Sequence, residues 1–101
     1  MSNWYVILGE DVPDSLPMRM QTRAAHLERM RRLQDEGRVL VAGPFPAIDS
    51  PDPGPAGFMG SLIVARFDSL DAARAWANDD PYVRSGVWRR VEVKPFVKVM
   101  P

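Results

Sequence analysis

Two stretches of helical periodicity set among four short runs of β-type residues, in the order βαββαβ, constrain the fold of this chain more than any other feature. WYVIL, Trp4 to Leu8, is an unbroken apolar run closed by the polar turn GEDVPDS, and it predicts a buried strand. From Pro17 to Glu36, Met20, Ala24, Leu27, Met30 and Leu33 recur at three- and four-residue steps with Arg and Glu between them. That spacing predicts an amphipathic helix with Gly37 at its C-terminal cap. Arg38 to Gly43 (RVLVAG) and Gly60 to Phe67 (GSLIVARF) read as the second and third strands, the third apolar enough to be central. Asp68 or Ser69 caps a second helix over Leu70 to Asp79, whose inner face is Leu70, Ala73 and Trp76 or Ala77. The last segment, Val87 to Val99, alternates Val91, Val93 and Pro95 with Arg90, Glu92 and Lys94, and Pro95 assigns it to a sheet edge or end. The proline-rich stretch 44–58 predicts a loop, either a lid or a rigid connector.

This order is the ferredoxin-like split pattern: an α+β fold with an antiparallel four-stranded sheet and two helices on one face. Residues 1–101 make one domain, and a chain of this length buries roughly 60–65 % of its unfolded surface. The first and third strands are too apolar to leave their second face in water, so a homodimer closing two sheets into an α+β barrel is expected.

Composition narrows the function classes. The chain has no cysteine and one histidine, which removes thiolate chemistry and argues against a dedicated transition-metal site; no cofactor is expected. Thirteen basic residues balance thirteen acidic ones, and Glu28, Asp35 and Glu36 interrupt the basic run RMRRLQDEGR, so no nucleic-acid partner is expected. The first residues lack a basic leader, and their apolar run is far shorter than the roughly 20 residues of a membrane span. The expectation is a cytoplasmic protein without a membrane partner.

The chemistry concentrates in two places. Arg23 and His26 lie on the first helix; Asp79 and Asp80 end the second, in WANDDPYVRSG. Carboxylates at a helix C-terminus oppose its dipole unless a cation is near. Antiparallel helices bring that end beside the start of the first helix, where Arg23 can neutralise Asp79 or hold an anionic ligand. His26 and Asp80 then meet, and a carboxylate beside an imidazole fixes the ring as a general acid or base requires. Asp80 before Pro81 reads equally as an N-cap with proline at the first helical position. Tyr82 and Trp76 read as core aromatics, and Ser61 as a small residue chosen for packing.

The marks Arg23–His26 (RxxH), Asp35–Arg38 (DEGR), Ala42–Pro44 (AGP), Gly57–Ser61 (GFMGS), Asp80–Tyr82 (DPY) and Val93–Phe96 (VKPF) resemble, in order and spacing, the YciI-like (YCII-related) proteins. The resemblance implies a dimeric α+β barrel similar in fold to muconolactone isomerase. It also implies a pocket with a His and Asp pair, carried onto His26 and Asp80, with Asp35 the alternative partner. Asp35 follows His26 by nine residues, about 180° round a helix, so the two should not touch within one chain. Gly60, Ser61 and Tyr82 match family marks and are the further candidates, with Arg23, for contact with a small-molecule substrate. Some members of the family remove chloride from chlorinated hydroxyquinones. Two functions follow as expectations: a small cofactor-free enzyme using the His-Asp pair for proton transfer of lyase, isomerase or dehydrochlorinase type on a small anionic or hydroxylated ring, or a non-catalytic ligand-binding or interaction module.

Overall fold

The computed structural model describes residues 3–101. Its main elements are β1 (Asn3–Asp11), α1 (Leu16–Asp35), β2 (Val39–Pro46), β3 (Phe58–Phe67), α2 (Leu70–Asn78), α3 (Pro81–Arg84) and β4 (Trp88–Phe96), with a 3-10 turn at Gly54–Ala56. The strands form one antiparallel sheet in the order β2-β3-β1-β4, so the two most apolar strands are central.

Side chains alternate across each strand, and register decides which alternate set becomes core. Tyr5 pairs with Ala65, Ile7 with Ile63, and Gly9 with Ser61, so one face carries Tyr5, Ile7, Ile63, Ala65 and Phe67. Met30 and Leu33 of α1, Ala73 and Ala77 of α2, and Tyr82 of α3 close over that face. Ile7 and Ile63 are almost fully buried, each contributing about 1.5–3 kcal/mol by leaving water. Gly9 is required on this face: a Cβ there would lie 2.4 Å from the indole of Trp88, which packs over the strand.

Four local expectations are corrected. β1 continues through Asp11 because β3 and β4 both pair with Gly9 and Glu10. β2 runs on through Pro44–Pro46, and the following loop contains a 3-10 turn; an edge strand tolerates proline where no ladder N–H is needed. The inner face of α1 is Arg19, His26, Met30 and Leu33, whereas Met20 and Ala24 face solvent. Two polar residues occupy inward positions there, which is why counting apolar residues alone misplaces the stripe. Finally, Asp80 does cap a short helix at Pro81, as its place before a proline suggests, but it is this α3, and not the C-terminus of α2, that packs beside α1, and it meets the middle of that helix and not its start.

The capping residues act as their chemistry suggests. Ser69 Oγ accepts from Ala72 N at 3.0 Å to start α2. Gly37, at φ 73°, follows α1 in the left-handed region, letting the N–H groups of Gly37 and Arg38 reach the carbonyls of Gln34 and Leu33.

Candidate functional site

The site begins where β1 hands over to α1. Asp11 ends the strand facing inward, and four residues later Ser15 Oγ donates to its Oδ2 at 2.6 Å. One turn into α1, Arg19 grips the same carboxylate with Nε and Nη2 at 2.6 and 3.0 Å. Both side chains are buried, 7 % and 1 % exposed. Arg19 Nη2 also reaches the Gly60 carbonyl at 3.0 Å and Ser61 Oγ at 2.8 Å, which ties α1 to β3. Ion pairs taken from water need such saturation by hydrogen bonds to offset desolvation.

Two turns after Arg19, His26 points inward on the same helix face. Its Nδ1 lies 2.9 and 3.0 Å from the two oxygens of Asp80, which is wholly buried. A carboxylate that only accepts requires the hydrogen on Nδ1, and with that tautomer a neutral ring has its lone pair on Nε2. Asp80 Oδ1 also accepts from Tyr82 N at 2.9 Å as the N-cap of α3, and Arg29 Nη1 approaches Oδ2 at 3.4 Å. Thus Asp80 serves both the turn and the histidine. Arg29 is itself placed by the Trp76 carbonyl at 2.9 Å and by the Trp76 ring, 4.3 Å from its guanidinium carbon.

The His26 ring is held on its faces as well as at its nitrogen. Tyr82 stacks on it at 4.2 Å with an interplanar angle of 15°, and Trp88 meets it edge-on at 5.8 Å. Burial pushes the Tyr82 phenol above its ordinary pKa, against the opposing pull of Arg19 and Arg23. A histidine with its ring plane and one nitrogen fixed has lost the rotational freedom it would otherwise spend on reaching a transition state.

A cavity of about 280 Å³ lies between α1 and the sheet. Arg19, Arg23, His26, Ser61 and Tyr82 face it, with Met30 and Ile63 among its apolar walls. Nε2 of His26 has no hydrogen-bond partner among the described residues, and its ring is part of that wall.

The candidates read from sequence therefore separate into groups. His26, Asp80, Tyr82 and Ser61 converge, and Gly60 contributes its carbonyl to Arg19. Arg23 stands at the cavity as an exposed residue; it does not neutralise Asp79, which pairs with Arg84 at the surface. That ion pair holds the Asp79 carboxyl below its ordinary pKa. Asp35 is exposed at the end of α1, away from His26, as the helical angle requires. Asp11, Arg19 and Arg29 escaped sequence reasoning. The available signal was spacing: Arg19 precedes His26 by seven residues, two turns, and therefore shares its face.

The same residues can be set against known proteins. The YCII-related domain pattern matches residues 3–97. The chain belongs to the YCII-related family. Among its relatives is Protein YciI of Escherichia coli O6:H1, 59 % identical over 95 residues, which cover 94 % of this chain and 97 % of that one. A protein of Haemophilus influenzae with no assigned function is 51 % identical over 96 residues, 95 % of this chain and 98 % of its own. Among solved structures, 5-chloro-2-hydroxyhydroquinone dehydrochlorinase (TftG) from Burkholderia phenoliruptrix AC1100, in complex with 2,5-dihydroxybenzoquinone, superposes with a TM-score of 0.81. It is 23 % identical, with 93 % of each chain covered, and so shares the fold. No helix among the described residues is long and apolar enough to cross a membrane.

Proposed function

We propose that this YCII-related protein is a cofactor-free enzyme that moves a proton on a small hydroxylated or anionic ring compound, in a reaction of lyase, isomerase or dehydrochlorinase type. One observation carries the reading: a buried imidazole whose Nδ1 is fixed by a fully buried carboxylate while its Nε2 is left to a cavity. In the proposed step Nε2 takes a proton from a ring hydroxyl or ring carbon. The electron pair released enters the ring, and elimination of an anionic leaving group or reprotonation at another carbon completes the reaction. Asp80 orients the imidazole and stabilises the imidazolium that forms, and Arg23 attracts the anionic part of the substrate at the entrance. A cavity of about 280 Å³ sits at the small end of ligand pockets, matching a single substituted ring. Support also comes from TftG, a relative in fold whose name records dehydrochlorination of a hydroxyhydroquinone and whose complex holds a dihydroxybenzoquinone.

The test is a thermal-shift screen of hydroxylated and chlorinated hydroquinones and benzoquinones on wild type and His26→Ala, followed by ultraviolet-visible and chloride-release assays on every hit. Turnover should fall by on the order of 100-fold or more in His26→Ala, with an unchanged circular-dichroism spectrum. Ligands that stabilise the wild type but are never converted would leave a binding module instead.

A homodimer is part of this proposal. The sheet face opposite the helices carries half-buried Trp4, Val6, Leu8 and Leu62, with exposed Val41 and Phe45 on the neighbouring edge strand. Such a continuous apolar surface is best covered by a second copy. Sedimentation equilibrium should return twice the chain mass for the wild type and a shift toward monomer for Val6→Glu.

A further inference from the structure

The cavity wall at Arg19, two turns before His26 on α1, and at Ser61 on β3 has a polarity that the proposed proton transfer does not by itself require. Arg19 is 6 % exposed, and its Nε and Nη2 are consumed by Asp11, Gly60 and Ser61. Its Nη1 has no partner among the described residues. Nor is it one of the fully buried polar atoms left without a partner, which are Ser85 Oγ and Trp88 Nε1. An arginine that is more than nine-tenths buried, lines a cavity and has two unspent N–H donors is a ready binding group for an oxygen acceptor.

Ser61 adds a second donor. Its Oγ accepts from the Arg19 guanidinium at 2.8 Å, and among the described residues its own O–H has no acceptor. A hydroxyl with a cation on its lone pair is left to donate, and donates more strongly for being polarised. Among the described residues no carboxylate lines the cavity, and its charged wall residues are Arg19 and Arg23. Asp11, which balances Arg19, lies behind it and is 6 % exposed.

We infer that Ser61 O–H and Arg19 Nη1 form a two-donor site for one carbonyl, enolate or phenolate oxygen of the ring ligand, with Asp11 the positioning residue that holds Arg19 in place. The site selects rings that present a bare acceptor oxygen and disfavours those whose only polar atom there is a donor. Two donors converging on one oxygen also stabilise the negative charge that builds on it when His26 removes a proton elsewhere on the ring. This assignment rests on reading the cavity as the substrate pocket.

Binding of 4-nitrophenol, followed by visible absorption of its phenolate across pH and by calorimetry, tests it without any need for turnover. The wild type should bind the phenolate and lower the apparent ionisation pH of the bound probe. Ser61→Ala, which leaves the Arg19–Asp11 pair intact and so should fold, should weaken phenolate binding by about 10-fold or more and lose most of the ionisation shift. Ser61→Thr should restore both. The methyl ether 4-nitroanisole, which has no ionisable oxygen, should bind all three variants alike. Equal phenolate affinity in wild type and Ser61→Ala overturns the assignment, as does an equal loss for the ether, which would mean packing alone. Failure of the wild type to bind the phenolate overturns it too. In each of those cases the catalytic reading stands or falls separately, on the loss of turnover in His26→Ala.

Discussion

Asp11→Ala should cost about 3–5 kcal/mol of folding stability, the range found when one partner of a buried ion pair is removed. The reason is the state of Arg19 afterwards. The Arg19 residue is 6 % exposed, and its guanidinium would keep only the Gly60 carbonyl and Ser61 Oγ as acceptors. Ser15 Oγ would lose its acceptor as well. Set against the roughly 5–15 kcal/mol that holds a domain of this kind together, such a loss brings the chain close to unfolding at ordinary temperature. Urea denaturation should show a lower midpoint with an unchanged slope. The double variant Asp11→Leu with Arg19→Met removes both charges and should regain most of the stability while abolishing the two-donor site. An unchanged midpoint in the single variant would mean that the Arg19 charge is satisfied by water, and the pair would not be the structural clamp described above.

Asp80 is the second position where a large effect is expected, and two substitutions there separate its two duties. Asp80→Ala removes the N-cap of α3, worth about 1 kcal/mol, and leaves the buried Nδ1 donor of His26 without an acceptor, at about 1–3 kcal/mol; Arg29 loses a 3.4 Å contact but keeps the Trp76 carbonyl. A total loss of about 2–4 kcal/mol follows from those two terms. Asp80→Asn keeps an oxygen for the Tyr82 amide and the imidazole, so it should retain most of the stability. It removes the negative charge that would stabilise a forming imidazolium, so turnover should still fall. Nitrogen-15 chemical shifts of the single histidine would report the ring tautomer directly, with the preference for hydrogen on Nδ1 weakened in Asp80→Ala. Equal loss of stability in the two variants would mean that charge, and not the hydrogen-bond count, holds this corner together.

What could be read from the chain without its structure was considerable, and its boundary is physical. The βαββαβ order came from periodicity, because period-2 and period-3.6 patterns reflect which residues a single element can turn toward an apolar neighbour. Pro95 pointed to an edge, and β4 is an edge strand. Ser69 and Gly37 are legible as caps, since their chemistry acts on backbone within a few residues. His26 and Asp80 stood out as residue types, one the only histidine in the chain and the other a carboxylate before a proline.

Tertiary packing decided what local patterns could not. The contact between Asp80 and the middle of α1 depends on α3, a four-residue element too short to have a periodicity of its own. The inward face of α1 departs from its apolar stripe at Met20 and Ala24, because two of its inward residues, Arg19 and His26, are polar and become acceptable inside only when Asp11 and Asp80 arrive from other elements. Asp11, Arg19 and Arg29 look like ordinary surface charges in a sequence that is one-quarter charged. Sequence alone therefore determined the element order, the caps and the residue types able to do chemistry, because each of those depends on interactions a few residues long. Which charges would be buried, and against which partners, was decided only by the closing of α1 and α3 over the sheet, because the desolvation that makes a buried pair necessary does not exist until the fold has formed.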